Sequence, residues 1–257
     1  MTKKIKALKG FRGFQRAMLD AGHDFILPQT PGEHKALGEA TQNYLFNLPG
    51  PTEAKTRKTG RKIFFFKVFY GMAEILKSLE TLEDIAFFIG RFPFQNTRIS
   101  KERYLQFHVE SYFSEVFLLQ ERLTKYLTLL ERQYKRDSRL PAIRSRLKAL
   151  VRFVTVALEN PVRVRHSHVH EARFQDKDID RLAGLALLMT AKGSNLTRSL
   201  RPYYRIEYAR IKKKWKANAV QSNKTISKLL DMFFDELLPL VFDERSRTFN
   251  YPTRLKF

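Results

Sequence analysis

The segment 163–171 holds a high density of side chains that could do chemistry. Three of the six histidines of the chain lie in it, at alternate positions. Histidine exchanges protons near neutral pH, and the planar guanidinium of arginine matches phosphate oxygens. These residue types favour attack of an RNA 2′-hydroxyl on its own phosphate, where one group removes a proton and another stabilises the extra-negative phosphorus centre. The residues concerned are Arg163, Arg165, His166, His168, His170 and Glu171.

The spacing within this segment suggests how the two groups would meet. Four residues separate Arg165 from His170, and we expect both side chains to converge on one phosphate at the entry to a helix. His166 would lie one turn from His170 if the segment is helical, and it could then hydrogen-bond nearby. Such a reaction requires no cofactor and no metal ion.

The segment Arg165-His166-Ser167-His168-Val169-His170 resembles the Arg-x(4–6)-His motif of HEPN domains. These domains are helical bundles that include many RNA-cleaving toxins and phage-defence nucleases. The resemblance implies that Arg165 binds and stabilises the phosphate, that His170 is the essential acid/base, and that His166 takes the supporting polar place. With the helices expected on either side, the resemblance covers roughly residues 62–195.

A second pairing, Arg163 with His168, has the same separation, so the register stays open. The family motif typically has Asn, Asp or His after the arginine, and this position is His166 for Arg165 but Val164 for Arg163. The resemblance therefore favours the first pairing. The supporting candidates are Arg163, His168, Glu171 and, on a long helix earlier in the chain, Glu110, which could orient an imidazole.

The resemblance also implies partners and a biological role. HEPN nucleases commonly form homodimers that bring two motifs together, and the expected products are a 2′,3′-cyclic phosphate and a 5′-hydroxyl. A role in phage defence or a toxin-like stress response, with an antitoxin or regulatory partner, follows from the resemblance alone. The family also contains non-catalytic RNA binders, so a binding or scaffold protein of the same fold is the alternative.

Two other interpretations of the histidines remain open from the sequence. In an extended strand, His166, His168 and His170 would share one face and could bind zinc, although the flanking arginines would repel a dication. The segment could also be a solvated basic loop between two helices without any chemical role. We expect no metal site.

The charge of the chain favours a polyanionic partner. Forty-eight Lys and Arg outnumber 26 Asp and Glu, for a formal net charge of +22. Such an excess destabilises a compact state by self-repulsion, and nucleic acid is its commonest partner, with an anionic membrane surface second. The absence of cysteine excludes disulfides and thiolate chemistry. No stretch reaches the ~18 apolar residues of a membrane span, so we expect a cytoplasmic protein without stable membrane insertion.

A second basic segment interleaves cations with aromatic residues, a mixture that suits RNA because rings stack on unpaired bases while cations meet phosphates. The alternative is a solvated helix face with Tyr203, Tyr204, Tyr208 and Trp215 packed inward. The predicted RNA-binding residues are Arg201, Arg205, Arg210, Lys212, Lys213, Lys214, Trp215 and Lys216.

Apolar residues recur at steps of three and four in most of the remaining chain, which predicts helices that position these segments. The clearest pattern spans Ser100 to Lys135. Others begin near Lys62, span Pro141 to Glu159 before a stop at Asn160-Pro161, begin near Asp176, and span Ile226 to Val241. These patterns predict an all-α, up-and-down helical bundle, and the resemblance of the histidine segment implies that the bundle is HEPN-like.

Turn-forming residues set the first sixty residues apart. Gly10, Gly13 and several prolines argue against a long helix there, although a short one near 34–46 is expected. The predicted organisation is a basic N-terminal extension over 1–60, partly disordered, a HEPN-like helical domain over 61–244, and a C-terminal tail over 245–257.

Overall fold

The structure, a computed structural model, is helical nearly throughout, which confirms the all-α class. It describes residues 9–26, 30–51, 59–91, 99–170, 176–190, 196–243 and 248–252, with the backbone alone for 24, 26, 44, 165–170, 196 and 197. The helices are α1 (Lys9–Ile26), α2 (Pro31–Phe46), α3 (Gly60–Ile89), α4 (Lys101–Gln133), α5 (Leu140–His170), α6 (Lys177–Thr190) and α7 (Leu196–Val241). Two short antiparallel strands, β1 (Phe242–Asp243) and β2 (Thr248–Phe249), follow them.

The chain divides into two compact units that are not consecutive in sequence. Unit 1 comprises residues 1–72, 126–148 and 230–257, and unit 2 comprises 73–125 and 149–229. The long helices α3, α4, α5 and α7 each contribute residues to both units. The predicted linear boundaries at residues 60 and 244 are not tested by this division and stay a prediction. None of the described helices is long and apolar enough to cross a lipid bilayer.

Helix α1 packs in unit 1 through aromatic side chains. Phe11 and Phe14 are buried against Phe234, with ring centroids 5.2 and 5.0 Å apart, and the Phe11 N–H donates a hydrogen bond of 3.0 Å to the Asp231 carboxylate. The prediction that glycines prevent a long helix here was therefore wrong. A Cβ on Gly10 would clash with the Asp231 carbonyl oxygen, so glycine allows α1 to approach α7 closely.

Helix α4 confirms the strongest sequence pattern. Nine apolar residues recur at steps of three and four along α4 and just past its end, and all are buried: Leu105, Val109, Tyr112, Val116, Leu119, Leu123, Tyr126, Leu130 and Tyr134. In unit 2, buried Asn223 joins three helices, because it accepts a 2.8 Å hydrogen bond from the Tyr112 hydroxyl and its amide donates to the Leu82 carbonyl at 3.0 Å. These contacts hold α3, α4 and α7 together beside the basic part of α7.

Helix α5 continues through Pro161, so the predicted stop at Asn160-Pro161 was wrong. Proline removes one helical hydrogen bond and its ring crowds the preceding turn, at a cost of roughly 3 kcal/mol. Leu158 and Val162 are buried on either side of it, and burial of such side chains contributes about 1.5–3 kcal/mol each. The burial offsets the proline, and the histidine segment becomes part of the helix.

Helix α7 unites two predicted elements. The sequence placed a basic stretch before a separate last helix, whereas the structure has one helix of 46 residues. Tyr204, Tyr208 and Ile211 are buried at steps of four and three residues, which keeps one side of the basic part packed. The cations lie at other positions of this part of the helix. The apolar periodicity of the helix is therefore difficult to recognise in the sequence.

We expect Gly10→Ala to destabilise the protein by about 1–3 kcal/mol, because the added methyl would also approach the Asp235 Cβ to 2.6 Å at a helix–helix contact. Gly38→Ala is the matched control: Gly38 lies inside α2 with open space around it, and alanine there should stabilise by about 0.5–1 kcal/mol. Urea unfolding measures both changes. Equal small effects would show that α1 does not pack closely on α7.

Candidate nucleic-acid interface

The histidine segment forms the C-terminal turns of α5 rather than a loop or a strand. Arg163, the nearest residue whose side chain is described, is exposed, and its Nη2 donates to the Asn160 side-chain oxygen at 3.4 Å. The side chains of Arg165, His166, His168 and His170 lie outside the described part of the structure, as does all of Glu171. Their predicted roles therefore stay predictions.

The helical backbone nevertheless decides which positions share a side of α5. One residue advances the helix by about 100°, so positions 165 and 170 lie about 140° apart. Position 165 follows buried Leu158 by seven residues and buried Val162 by three, which puts it in phase with the packed side. Positions 166 and 170 follow exposed Arg163 by three and seven residues and are in phase with the solvent side.

The same backbone argues against the proposed zinc arrangement. That interpretation needed an extended chain, in which three alternate histidines share one face. In α5 each step of two residues turns by about 200°, so position 168 lies opposite 166 and 170. Among the residues whose side chains are described, no group of three His, Cys, Asp or Glu could hold a metal ion.

Two of the predicted RNA-binding cations are engaged in ion pairs with acidic residues. Asp178, in the first turn of α6, accepts hydrogen bonds from Lys214 at 2.6 Å and Arg210 at 3.0 Å. Glu207 accepts from Arg181 at 2.6 Å and also from Arg210 at 3.0 Å. The hydrogen bonds from Lys214 and Arg210 lower the pKa of Asp178. This cluster joins α6 to α7 and reduces the charge that Arg210 and Lys214 offer to a ligand.

The aromatic residues of the basic segment divide between inside and outside. Tyr204 and Tyr208 are only 9% and 7% exposed, and the Tyr204 hydroxyl donates a 2.6 Å hydrogen bond to buried Glu102. Burial raises the pKa of Tyr208 to about 12. Trp215 is half-buried and packs edge-on against Phe113, with centroids 6.1 Å apart. Tyr203, by contrast, is 48% exposed. Of the three tyrosines in the inward-packing alternative, Tyr204 and Tyr208 pack inward and Tyr203 does not.

The other predicted cations of α7 are accessible. Arg201, Arg205, Lys213 and Lys216 are exposed, and none of them pairs with an acidic residue in the part of the chain that the structure describes. The ammonium of Lys212 lies 5.4 Å from the centre of the Tyr208 ring, and Lys101 of α4 lies at the same distance from it.

The sequence reasoning missed Arg198, which is exposed near the start of α7. It precedes Arg201 and Arg205 by steps of three and seven residues. That spacing would have signalled a shared helix side once the segment was recognised as helical.

Glu110, the acidic residue proposed to orient an imidazole, is half-buried on α4. Its carboxylate accepts a 3.0 Å hydrogen bond from the Gln106 amide one turn earlier. Its orienting role stays a prediction, because the histidine side chains lie outside what the structure describes.

Comparisons with family models, with curated proteins and with solved structures found no match to this chain. The likeness to HEPN domains therefore rests on the residues quoted above.

We expect Asp178→Asn to destabilise the protein by about 1 kcal/mol at neutral pH, since a network of partly exposed ion pairs loses its central charge. The pKa of Asp178 is lowered in the fold, so its contribution is present above the ordinary value of 3.8 and disappears as the pH falls through the folded value. The wild type and variant should therefore converge in acid. Urea unfolding at several pH values measures this.

Asp180→Asn is the matched control, because Asp180 is exposed in the same first turn and has no ion pair with Lys or Arg among the described residues. Both changes remove one negative charge near the start of α6. If both variants lose the same stability at every pH, the Asp178 cluster does not stabilise the packing of α6 on α7.

Proposed function

We propose that this chain is an all-α, HEPN-like ribonuclease that cleaves RNA without a metal ion. Arg165 binds and stabilises the phosphate, His170 is the essential acid/base, and His166 supports them. The observation that carries the proposal is the position of the Arg165–His170 motif at the end of a long helix, in a chain with a net charge of +22. Positions 166 and 170 are in phase with exposed Arg163, on the side of α5 that a polyanion can approach.

The reaction assigned to these residues needs only proton transfer and charge stabilisation. The 2′-oxygen forms a bond to phosphorus as His170 takes the hydroxyl proton. The bond from phosphorus to the 5′-oxygen then breaks, and that oxygen takes up a proton. Arg165 holds the equatorial oxygens while negative charge builds on them. The products are a 2′,3′-cyclic phosphate and a 5′-hydroxyl.

The helical phase of α5 makes a homodimer part of this proposal. Positions 165 and 170 of one unbroken helix lie about 140° apart, too far around the axis to face one phosphate. A second copy that supplies its own motif would place an arginine and a histidine together without altering either helix. A cytoplasmic location, a phage-defence or toxin-like role, an antitoxin or regulatory partner, and a basic extension over 1–60 complete the proposal.

We expect Arg165→Ala and His170→Ala each to lower RNA cleavage in EDTA by about 10²–10⁴-fold, the usual contribution of a positioned acid, base or oxyanion group. Arg163→Ala and His168→Ala test the other register. Arg152→Ala is the control, since Arg152 is an exposed arginine on the same helix. Gel analysis of labelled RNA measures cleavage, and circular dichroism checks helix content. Undiminished cleavage in both main variants contradicts the proposed catalytic pair.

The second candidate is a non-catalytic RNA-binding or scaffold protein of the same fold. One observation favours it: positions 165 and 170 lie about 140° apart around the unbroken α5, so the two groups of the motif do not share a side of this helix. Such a protein would retain RNA through the cations of α7 while its histidines serve no chemical role.

The two candidates differ in one measurement on the wild-type protein. A binder shifts RNA in a gel without shortening it, and its affinity falls steeply as salt rises. The nuclease yields fragments that end in a cyclic phosphate and are unaffected by chelator. Cleavage that stops in EDTA and returns with a divalent metal would contradict both candidates.

A further inference from the structure

We propose that a row of cations along one side of α7 binds the phosphates of a single RNA strand. The row comprises Arg198, Arg201, Arg205, Lys212 and Lys216, and it is called the α7 cation row below. This inference rests on the RNA-binding part of the proposed function and is independent of cleavage by the α5 motif. It assigns a path to the RNA, and it adds Arg198 to that path while excluding Arg210 and Lys214.

The row follows from the spacing of its members. They succeed one another by three, four, seven and four residues, so they stay within about 60° around the helix axis. The eighteen steps from Arg198 to Lys216 span about 27 Å at 1.5 Å per residue. The position between Arg205 and Lys212 that would continue the row is Ala209, which is exposed and leaves the path open. A straight line of positive charge results.

The side chains of the row are available to a ligand. Arg198, Arg201, Arg205 and Lys216 are exposed, and none of them forms an ion pair with an acidic residue among the described parts of the chain. Lys212 lies against the Tyr208 ring, and Lys101 adds a further cation beside that same ring. Two cations held at one aromatic ring concentrate positive charge in the middle of the row.

Negative charge near the row is either buried or directed elsewhere. Residues 196–230 carry ten Lys and Arg and a single acidic residue, Glu207, which binds Arg181 and Arg210. Asp178 likewise binds Arg210 and Lys214. Glu102, the carboxylate beneath Tyr204, is 7% exposed and accepts the Tyr204 hydroxyl. The acidic residues therefore neutralise a different side of α7 and leave the row positive.

The geometry favours an unpaired strand over a duplex. The phosphates of an RNA duplex wind around its axis, so a straight row meets them only where a strand crosses it, and the deep, narrow major groove of A-form RNA does not admit side chains. An unpaired strand can follow the row over its full length. Contacts to phosphate carry no base information, so we expect little sequence preference.

The test compares two double variants of the full-length protein. Arg201→Gln/Arg205→Gln removes two charges of the row, and Lys224→Gln/Lys228→Gln removes two exposed charges four residues apart elsewhere on the same helix. The control pair lies about 140° around the axis from the row pair. Glutamine has a helix propensity close to that of arginine and lysine, so α7 should persist, as circular dichroism will verify. Binding of a labelled, unstructured RNA is followed by fluorescence anisotropy as salt varies.

We expect the row variant to bind at least about tenfold more weakly than wild type, because two charge-assisted contacts are lost. The slope of log affinity against log salt should fall by about 1.4, at about 0.7 per phosphate contact of a single strand. The control should change neither quantity comparably. A duplex of the same length should compete poorly with the labelled strand.

The outcomes separate this inference from the proposed function. Equal losses in the row variant and the control overturn the row and leave cleavage by Arg165 and His170 standing. Equally effective competition by duplex RNA overturns the single-strand assignment. If the wild type binds no RNA, both the proposed RNA-binding function and the α7 cation row are contradicted. If the row variant binds RNA more weakly while the control variant binds it like the wild type, the row is supported whether or not the protein cleaves RNA.

Discussion

Burial of one side of each long helix is the constraint on which the rest of the structure depends. Along the basic part of α7, Tyr204, Tyr208 and Ile211 stay packed, and the ten cations between 196 and 230 lie at other positions of the helix. Like charges on one helix repel, so the arrangement requires acidic partners or a polyanion. Asp178 and Glu207 are the acidic partners for part of the helix. The α7 cation row has no such partners among the described residues and is the part available to a polyanion.

The same constraint explains why the histidine segment is helical. Leu158 and Val162 are buried on both sides of Pro161, and their burial carries the helix past a residue that usually ends one. Continuity of α5 then gives each following position a phase. It gives positions 163, 166 and 170 one phase and position 165 another, and any mechanism for this motif has to accommodate that separation.

Prediction from sequence succeeded where one pattern dominated and failed where two effects competed. The stripe of α4 is uninterrupted, and all nine of its members are buried. Near Gly10, low helix propensity argued against a helix, yet the small residue is what permits α1 to pack closely against α7. At Pro161 the local cost of proline was visible in the sequence, whereas the burial that offsets it depends on neighbours. Local propensity is a weak guide when tertiary packing opposes it.

The sequence by itself determined the helical class, the excess of positive charge and the concentration of arginine and histidine at 163–170, because composition and periodicity are properties of the chain alone. Only the tertiary structure decided which cations remain available. Lys214 and Arg210 pair with Asp178, which lies 36 and 32 residues earlier, and Tyr204 reaches Glu102 across 102 residues. Such pairings depend on how helices pack against one another, and charge at a sequence position does not reveal whether an opposite charge will be folded against it.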